Sequence, residues 1–248
     1  MDNNQLSFIT RLADDVMILG QRLGEWCGHG PVLEQDIAMT NIALDLIGEA
    51  RLYYQYLAEI EGKKEDDYPM LRDVRSFKNI LLVEQPNGHW GDTIIRQFMF
   101  DSYHFYMLQA LTTSRDERLA AIAQKSVKEA SYQLSFSSEW VIRLGDGTEE
   151  SNTKMQHALN DFVLFMEEAY MPAPYETECM KDGFCPDLSI IRQKAFAKFK
   201  DTLDKATLQL PAEYASRTGG KTGMHSEHLG YILADMQYMQ RAYPNATW

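Results

Sequence analysis

The sequence predicts an all-α protein, folded as a bundle of helices. Three observations favour this class: long segments repeat apolar residues every three or four positions, Gly and Pro breaks separate them, and no convincing pair of strands occurs. With 248 residues, of which 45% are hydrophobic, the chain has enough apolar material for a large core. We therefore expect a helical bundle with short connections.

The helical segments follow one another along almost the whole chain. The pattern is ambiguous over residues 71–83, and Pro and Gly residues around 172–186 interrupt it. Helices are predicted over about 5–27, 33–60, 90–113, 114–144, 152–171, 187–208 and 226–243. The prediction is a single domain over residues 1–248, with a core of four helices at about 5–144 and additional C-terminal helices at about 152–243.

The segment at 33–60 is apolar on nearly every side, which is typical of a buried helix. Asn41, Asp45 and Glu49 nevertheless lie four residues apart, in one row on one face. A buried carboxylate is costly unless a metal, a cation or a hydrogen-bond network receives it. We therefore expect a partner group to face this row.

Composition excludes several classes of function. The formal net charge of −12 argues against nucleic acid, whose phosphates require a basic face. The three cysteines have no Cys-x-x-Cys spacing, as expected for reduced thiols. The N-terminus shows no signal-peptide pattern, and no apolar run is long enough to cross a bilayer. We expect a cytoplasmic protein without a membrane partner.

Acidic residues occur on the apolar faces of four predicted helices, which is the layout of ferritin-like di-iron proteins. In those proteins two helices each supply a Glu-x-x-His pair. Here Leu52 follows Glu49 by three residues and Tyr132 follows Glu129, so that neither pair is complete. Asp101 and His104 form one related pair, which is too few ligands for two irons. The sequence predicts a degenerate, metal-free site, which comprises Asp15, Asp45, Glu49, Leu52, Asp101, His104, Lys125, Glu129 and Tyr132.

Three cations in the same rows, Arg11, Arg22 and Lys125, are predicted to neutralise the acids as ion pairs. Two alternatives stay open from the residues alone. One is a self-contained ferritin-like di-iron oxidase, with Asp15, Glu49, Asp101, His104 and Glu129 as the ligands. The other is a helical binding protein without a redox partner.

Three long motifs carry a resemblance to a known family. They are QRLGEWCGH at 21–29, LLVEQPNG at 81–88 and the C-terminal RTGGKTGMHSEHLGYILADMQYMQR from Arg217. In these motifs and their spacing, the chain resembles the PaaC-type structural subunits of bacterial phenylacetyl-CoA epoxygenase. The resemblance covers essentially the whole chain.

The resemblance implies a ferritin-like, non-catalytic subunit that has no cofactor of its own. It implies a homologous catalytic subunit as partner, which carries the di-iron centre and epoxidises the ring of phenylacetyl-CoA in aerobic phenylacetate degradation. A separate reductase supplies electrons from NADPH in that family.

A basic cluster of Arg72, Arg75 and Lys78 stands out in an acidic chain. Such cations suit the phosphates of coenzyme A, although they are equally typical of an ordinary solvated surface. With the resemblance, we expect a contact with the CoA moiety from Arg75, Ser76, Phe77, Lys78 and Asn79.

The glycine-rich run at 219–223 lacks the order of a phosphate-binding loop and no strand precedes it. It is predicted to order the C-terminal arm against another subunit. Ser226 is predicted to cap the last helix, and His225 and His228 to pack or to pair rather than to bind a metal.

Overall fold

The computed structural model describes residues 1–244 and residue 246, which contain ten α-helices and no strand. The all-α prediction is confirmed. The helices are α1 (Asn3–Gly24), α2 (Leu33–Glu61), α3 (Asp67–Leu71), α4 (Leu81–Glu84), α5 (Trp90–Leu111), α6 (Glu117–Gly145), α7 (Glu149–Met166), α8 (Pro174–Lys181), α9 (Leu188–Lys205) and α10 (Glu227–Ala242).

The predicted long helices are all present, and the differences lie in the short ones. Residues 71–83, whose pattern is ambiguous, contain the end of α3, a 3-10 turn at Val74–Ser76 and the start of α4. The interrupted region around 172–186 contains α8, which begins with Pro174 in its first turn. Proline is well tolerated there because the first helical N–H groups have no partner within the helix.

The chain forms two compact units. Unit 1 comprises residues 1–86 together with the residues from 218 onward, and unit 2 comprises residues 87–217. The division differs from the predicted split into four core helices and extra C-terminal helices, because α10 packs in unit 1 against α1, α3 and α4.

The core of unit 1 is the pair α1 and α2, which pack along most of their lengths. A Cβ atom at Gly20 would lie 3.2 Å from the carbonyl oxygen of Ala43, whereas Asp14 lies against Tyr54. Lower residue numbers on α1 therefore lie beside higher residue numbers on α2, so the two helices are antiparallel.

Unit 2 is built on a second antiparallel pair, α5 and α6. The order of the paired residues shows the direction, because Gln124 bonds to Thr112 and Ser137 bonds to Asp101. Helices α7 and α9 pack against this pair, and Phe98 of α5 stacks on Phe199 of α9 with ring centroids 5.3 Å apart.

The prediction that the second helix is buried all round is wrong. One stripe of α2 is exposed and includes Leu33, Ile37 and Leu44, with exposed fractions of 70%, 51% and 62%. The opposite face is buried and includes Ile42, Leu46 and Tyr53. Within the described residues, no helix has the length and apolar character needed to cross a membrane.

Candidate functional site

The segment that carries the predicted CoA contacts, residues 72–84, is held by two adjacent carboxylates of α1. Asp14 accepts a hydrogen bond from the backbone N–H of Lys78 at 2.9 Å. Asp15 accepts one from the N–H of Ile80 at 2.8 Å. The acids of α1 therefore fix the backbone of this segment at two positions.

Asp14 also pairs with side chains on two further elements. Its Oδ2 atom lies 3.0 Å from Nη1 of Arg72, and its Oδ1 atom accepts the hydroxyl proton of Tyr54 at 2.7 Å. Burial and the Asp14 charge raise the pKa of Tyr54 well above its usual value. Tyr54 therefore stays a neutral hydrogen-bond donor at all physiological pH values.

Asp15 is paired with the cation that stands one helical turn before it. Nη1 of Arg11 lies 2.8 Å from Oδ2 of Asp15, and both side chains are buried. Burial raises the pKa of Asp15, and the Arg11 charge and the N–H of Ile80 oppose that effect. The prediction that Arg11 neutralises a core acid is confirmed by this contact.

The predicted role of Arg22 is different in the structure. Its Nη1 atom pairs with Glu25 at 2.8 Å, and its Nη2 atom donates to the backbone carbonyl of Glu84 at 3.0 Å. Arg22 therefore holds the end of α4 through the carbonyl group of Glu84, and it pairs with an acid that directly follows α1.

The five predicted CoA-contact residues divide into two groups. Arg75 and Ser76 are exposed, and Lys78 is half-buried. The side chains of Phe77 and Asn79 are buried and are used inside the chain. The ring of Phe77 lies 4.2 Å from the guanidinium carbon of Arg72, and Nδ2 of Asn79 donates to Glu84 at 3.0 Å.

The prediction is therefore corrected for the side chains of Phe77 and Asn79, which cannot reach a ligand at the surface. For Arg75, Ser76 and Lys78 the contact with the CoA moiety stays a prediction. Burial lowers the pKa of Lys78, and Asp14 opposes that shift.

In unit 2, Asp101 is buried and accepts two hydrogen bonds from its own unit. Nε2 of Gln97 and Oγ of Ser137 each lie 2.7 Å from one of its carboxylate oxygens. Burial raises the pKa of Asp101 to about 7, and the bonds from Ser137 and Gln97 and the charge of His104 reduce the shift. His104 is buried too, and its ring stacks on Phe100 at 5.0 Å.

The predicted row on α6 is wrong. Lys125 is exposed, Glu129 is half-buried and the side chain of Tyr132 is 55% exposed. The buried row of this helix instead contains Ser126, Ala130, Gln133 and Ser137, and its polar members were missed because only charged residues suggested a site. Their spacing of three and four residues on an otherwise apolar face is the signal that identifies them.

The predicted row on α2 runs from solvent to the interior. Asn41 is exposed, Asp45 and Leu52 are half-buried, and Glu49 is buried. Among the described residues, no three His, Cys, Asp or Glu side chains are grouped so that they can hold a metal ion. The donor set of Asp15 also fits a di-iron centre poorly, because a guanidinium group and a backbone N–H occupy its oxygens.

Comparison with known proteins adds the family. A family model described as phenylacetic acid catabolic protein matches residues 1–248. The chain belongs to this family. It is similar to a protein of Escherichia coli (strain K12) that is named as a subunit of 1,2-phenylacetyl-CoA epoxidase, with 47% identity over 247 residues that cover 99% of this chain and 100% of the relative. The resemblance inferred from the three motifs is confirmed.

Proposed function

We propose that this chain is the non-catalytic structural subunit of a multicomponent phenylacetyl-CoA epoxidase that acts in phenylacetate catabolism. The observation that carries the proposal is the full-length similarity to the epoxidase subunit of E. coli. A chain similar from end to end to a named subunit is expected to assemble with other subunits in the same way. The partner in this proposal is a homologous catalytic subunit that holds the di-iron centre.

The contacts of the acids support a structural role for this chain. Asp15 stabilises Arg11 and the 72–84 segment, and Asp101 accepts hydrogen bonds from Gln97 and Ser137. Leu52 stands three residues after Glu49, where a complete Glu-x-x-His pair requires histidine, and the buried row of α6 (Ser126, Ala130, Gln133 and Ser137) contains no carboxylate and no histidine. These residues favour the structural subunit over a self-contained di-iron oxidase.

We place the proposed contact with phenylacetyl-CoA on Arg75, Ser76 and Lys78. The first two are exposed, Lys78 is half-buried, and the hydrogen bonds from Asp14 and Asp15 hold the backbone that carries them. Cations on a fixed backbone suit the phosphates of CoA, since less conformational entropy is lost on binding. A reductase subunit and a cytoplasmic location complete the proposal.

The test of the assembly is reconstitution with the catalytic subunit. We expect a stable complex, and epoxidation of phenylacetyl-CoA with reductase and NADPH that falls by about tenfold or more when this chain is omitted, a loss of about 1.4 kcal/mol or more of transition-state stabilisation. When this chain is loaded anaerobically with ferrous iron and analysed alone, we expect it to bind almost no iron, whereas the catalytic subunit treated in the same way should bind it. Two irons bound per isolated chain would contradict the proposal and favour the di-iron oxidase.

The test of the CoA contact is charge reversal at Arg75 and Lys78, with Lys194→Glu as a control on the exposed face of α9. In the assembled complex, we expect the double variant to raise the Kd for phenylacetyl-CoA by about tenfold or more, which corresponds to about 1.4 kcal/mol. The control should leave the Kd unchanged. The same Kd in the double variant and in the natural chain would show that Arg75 and Lys78 do not contact the ligand.

A further inference from the structure

The C-terminal glycine run packs against the 72–84 segment of its own chain. A Cβ atom added at Gly220 would lie 2.2 Å from the carbonyl oxygen of Asn79, and one at Gly223 would lie 2.4 Å from that of Arg75. The two backbones are therefore in direct contact. The run thus orders the C-terminal arm against residues 75–80 of its own chain, and the predicted contact of this arm with another subunit stays a prediction.

His225 follows directly after this contact, and its ring is fully buried. Its Nδ1 atom lies 2.8 Å from Oε2 of Glu84, and its Nε2 atom lies 3.0 Å from the backbone carbonyl oxygen of Phe77. A carbonyl oxygen can only accept a hydrogen bond, so Nε2 carries a proton. The opposite nitrogen then faces a carboxyl oxygen.

Glu84 has two further donors around its carboxyl group. The backbone N–H of Ser226 donates to Oε1 at 2.6 Å, and Nδ2 of Asn79 donates to Oε2 at 3.0 Å. Donors on both oxygens are the environment of an ionised carboxylate. A single proton lies in the short contact between Nδ1 and Oε2, and because other donors already surround both Glu84 oxygens we assign this proton to Nδ1, which makes the ring an imidazolium.

We propose that the His225–Glu84 pair is a proton-dependent clamp that positions the 75–80 backbone from the C-terminal side. In this clamp the imidazolium bridges the carboxylate of α4 and the carbonyl of Phe77. Loss of one ring proton leaves two acceptor atoms facing each other at one of the two contacts. One of the two His225 contacts is then lost, and the C-terminal segment no longer fixes the backbone that carries Arg75 and Lys78.

The charged groups around His225 support this protonation state. Burial lowers the pKa of His225, but Glu84, the Phe77 carbonyl and Asp14 of α1 together raise it above its ordinary value. Arg22 donates to the backbone carbonyl of Glu84, and the charges of Arg72 and Lys78 lie beside Asp14. Because the folded-state pKa is raised, the clamp is complete below about pH 6.5 and is lost as pH rises through the folded-state value.

The clamp itself does not depend on any ligand. Its consequence for phenylacetyl-CoA rests on the proposed function, since only there do Arg75 and Lys78 bind the CoA moiety. Measurements on the ligand-free chain therefore test the clamp even when the CoA contact fails its own test.

The first test is the ¹⁵N chemical shift of the His225 ring nitrogens in the folded, full-length chain as a function of pH. We expect both nitrogens to be protonated at about pH 6.5 and one of them to lose its proton at higher pH. Exposed His157 of α7 provides the reference within the same chain. A neutral His225 ring at about pH 6 would overturn the proposal.

The second test is amide hydrogen exchange, corrected for the intrinsic effect of pH. In the natural chain, we expect the protection of the Ser226, Lys78 and Ile80 amides to decline as pH rises. His225→Gln should reduce this protection by about tenfold or more at about pH 6.5, and the protection that remains should no longer decline at higher pH. His157→Gln is the matched control.

Glu84→Gln provides an independent variant for the exchange measurement. It removes the same charge pair with little change in shape and should give the same pattern as His225→Gln, so that a failure of one variant to fold leaves the test intact. Equal protection in the natural chain at about pH 6 and about pH 9 would refute the clamp.

Discussion

Asp14 and Asp15 show how adjacent acids on one helix can serve the backbone of a distant segment. Successive helical residues point about 100° apart, so the two carboxylates receive N–H groups two residues apart, from Lys78 and Ile80. Each carboxylate also has a buried or half-buried arginine, Arg72 or Arg11. The charges of α1 at these two positions are therefore balanced within unit 1.

Removing Asp15 should be strongly destabilising. Asp15→Ala removes the carboxylate that balances the buried guanidinium of Arg11 and accepts from the N–H of Ile80, and we expect the free energy of unfolding to fall by about 3–5 kcal/mol. Asp201→Ala removes an exposed acid that pairs with Lys205 on α9, and we expect a much smaller loss, because solvent screens this pair. Urea unfolding of both variants provides the measurement, and a similar small loss in both would contradict the role assigned to Asp15.

Asp101 should make stability depend on pH in the direction opposite to that of a salt-bridged acid. Its folded-state pKa of about 7 lies above the ordinary value of 3.8, so that the folded state binds the extra proton between these values. The contribution of Asp101 is present at about pH 4 and is lost as pH rises to about 7, by at most about 1.4 kcal/mol per pH unit.

Asp101→Asn isolates this contribution, because the amide does not titrate. We expect the free energy of unfolding of the variant, relative to the natural chain, to increase as pH rises from about 4 to about 7. Urea unfolding at a series of pH values measures the difference. A difference that stays constant over this range would show that Asp101 is ionised throughout.

Among the helices, α6 illustrates what the sequence pattern leaves undetermined. Its length and position follow from the apolar period, but several rows of residues share that period. The row with Lys125, Glu129 and Tyr132 was predicted to face the core because it carries charged residues. The polar residues of α6 that are buried are instead Ser and Gln, and one of them, Ser137, bonds to Asp101 of α5. Charged residues on a helix favour solvent, and small uncharged polar residues are buried at lower cost.

The glycine run before α10 offers a test of the contact between two segments. Gly220→Ala would place a methyl group 2.2 Å from the carbonyl oxygen of Asn79, and we expect a loss of about 1–3 kcal/mol or more in the free energy of unfolding. Gly230→Ala is the matched control on α10, where no atom lies within 4 Å of the added Cβ. The control should stabilise the helix by up to about 1 kcal/mol.

Thermal or urea unfolding distinguishes the two glycine variants by sign. If Gly220→Ala were as stable as Gly230→Ala, the two backbones would not be in contact as the structure describes. The residues at 75–80 would then depend for their position on the acids of α1 and on the contact of His225 with Phe77.

At the scale of the whole chain, the sequence predicted the fold class and the family, and both are confirmed. Periodicity is a local property, and the motifs are long, so both predictions needed no knowledge of distant contacts. The pairing of Glu84 with His225 joins residues 141 positions apart, and no local pattern contains it. Asp15 of α1 was predicted from the sequence as a buried acid, but its partner, the backbone N–H of Ile80, could not be, because every residue except proline carries such a group.

Unit 1 draws its residues from two separate stretches of the chain, while unit 2 is one continuous stretch that lies between them in sequence. A ribosome synthesises the chain from its N-terminal side, so unit 2 has all its residues available while unit 1 still lacks α10, His225 and the glycine run. During that interval Glu84 lacks the imidazolium that it pairs with in the finished fold. The segment at 72–84 therefore gains its C-terminal contacts only after all of unit 2 has been translated.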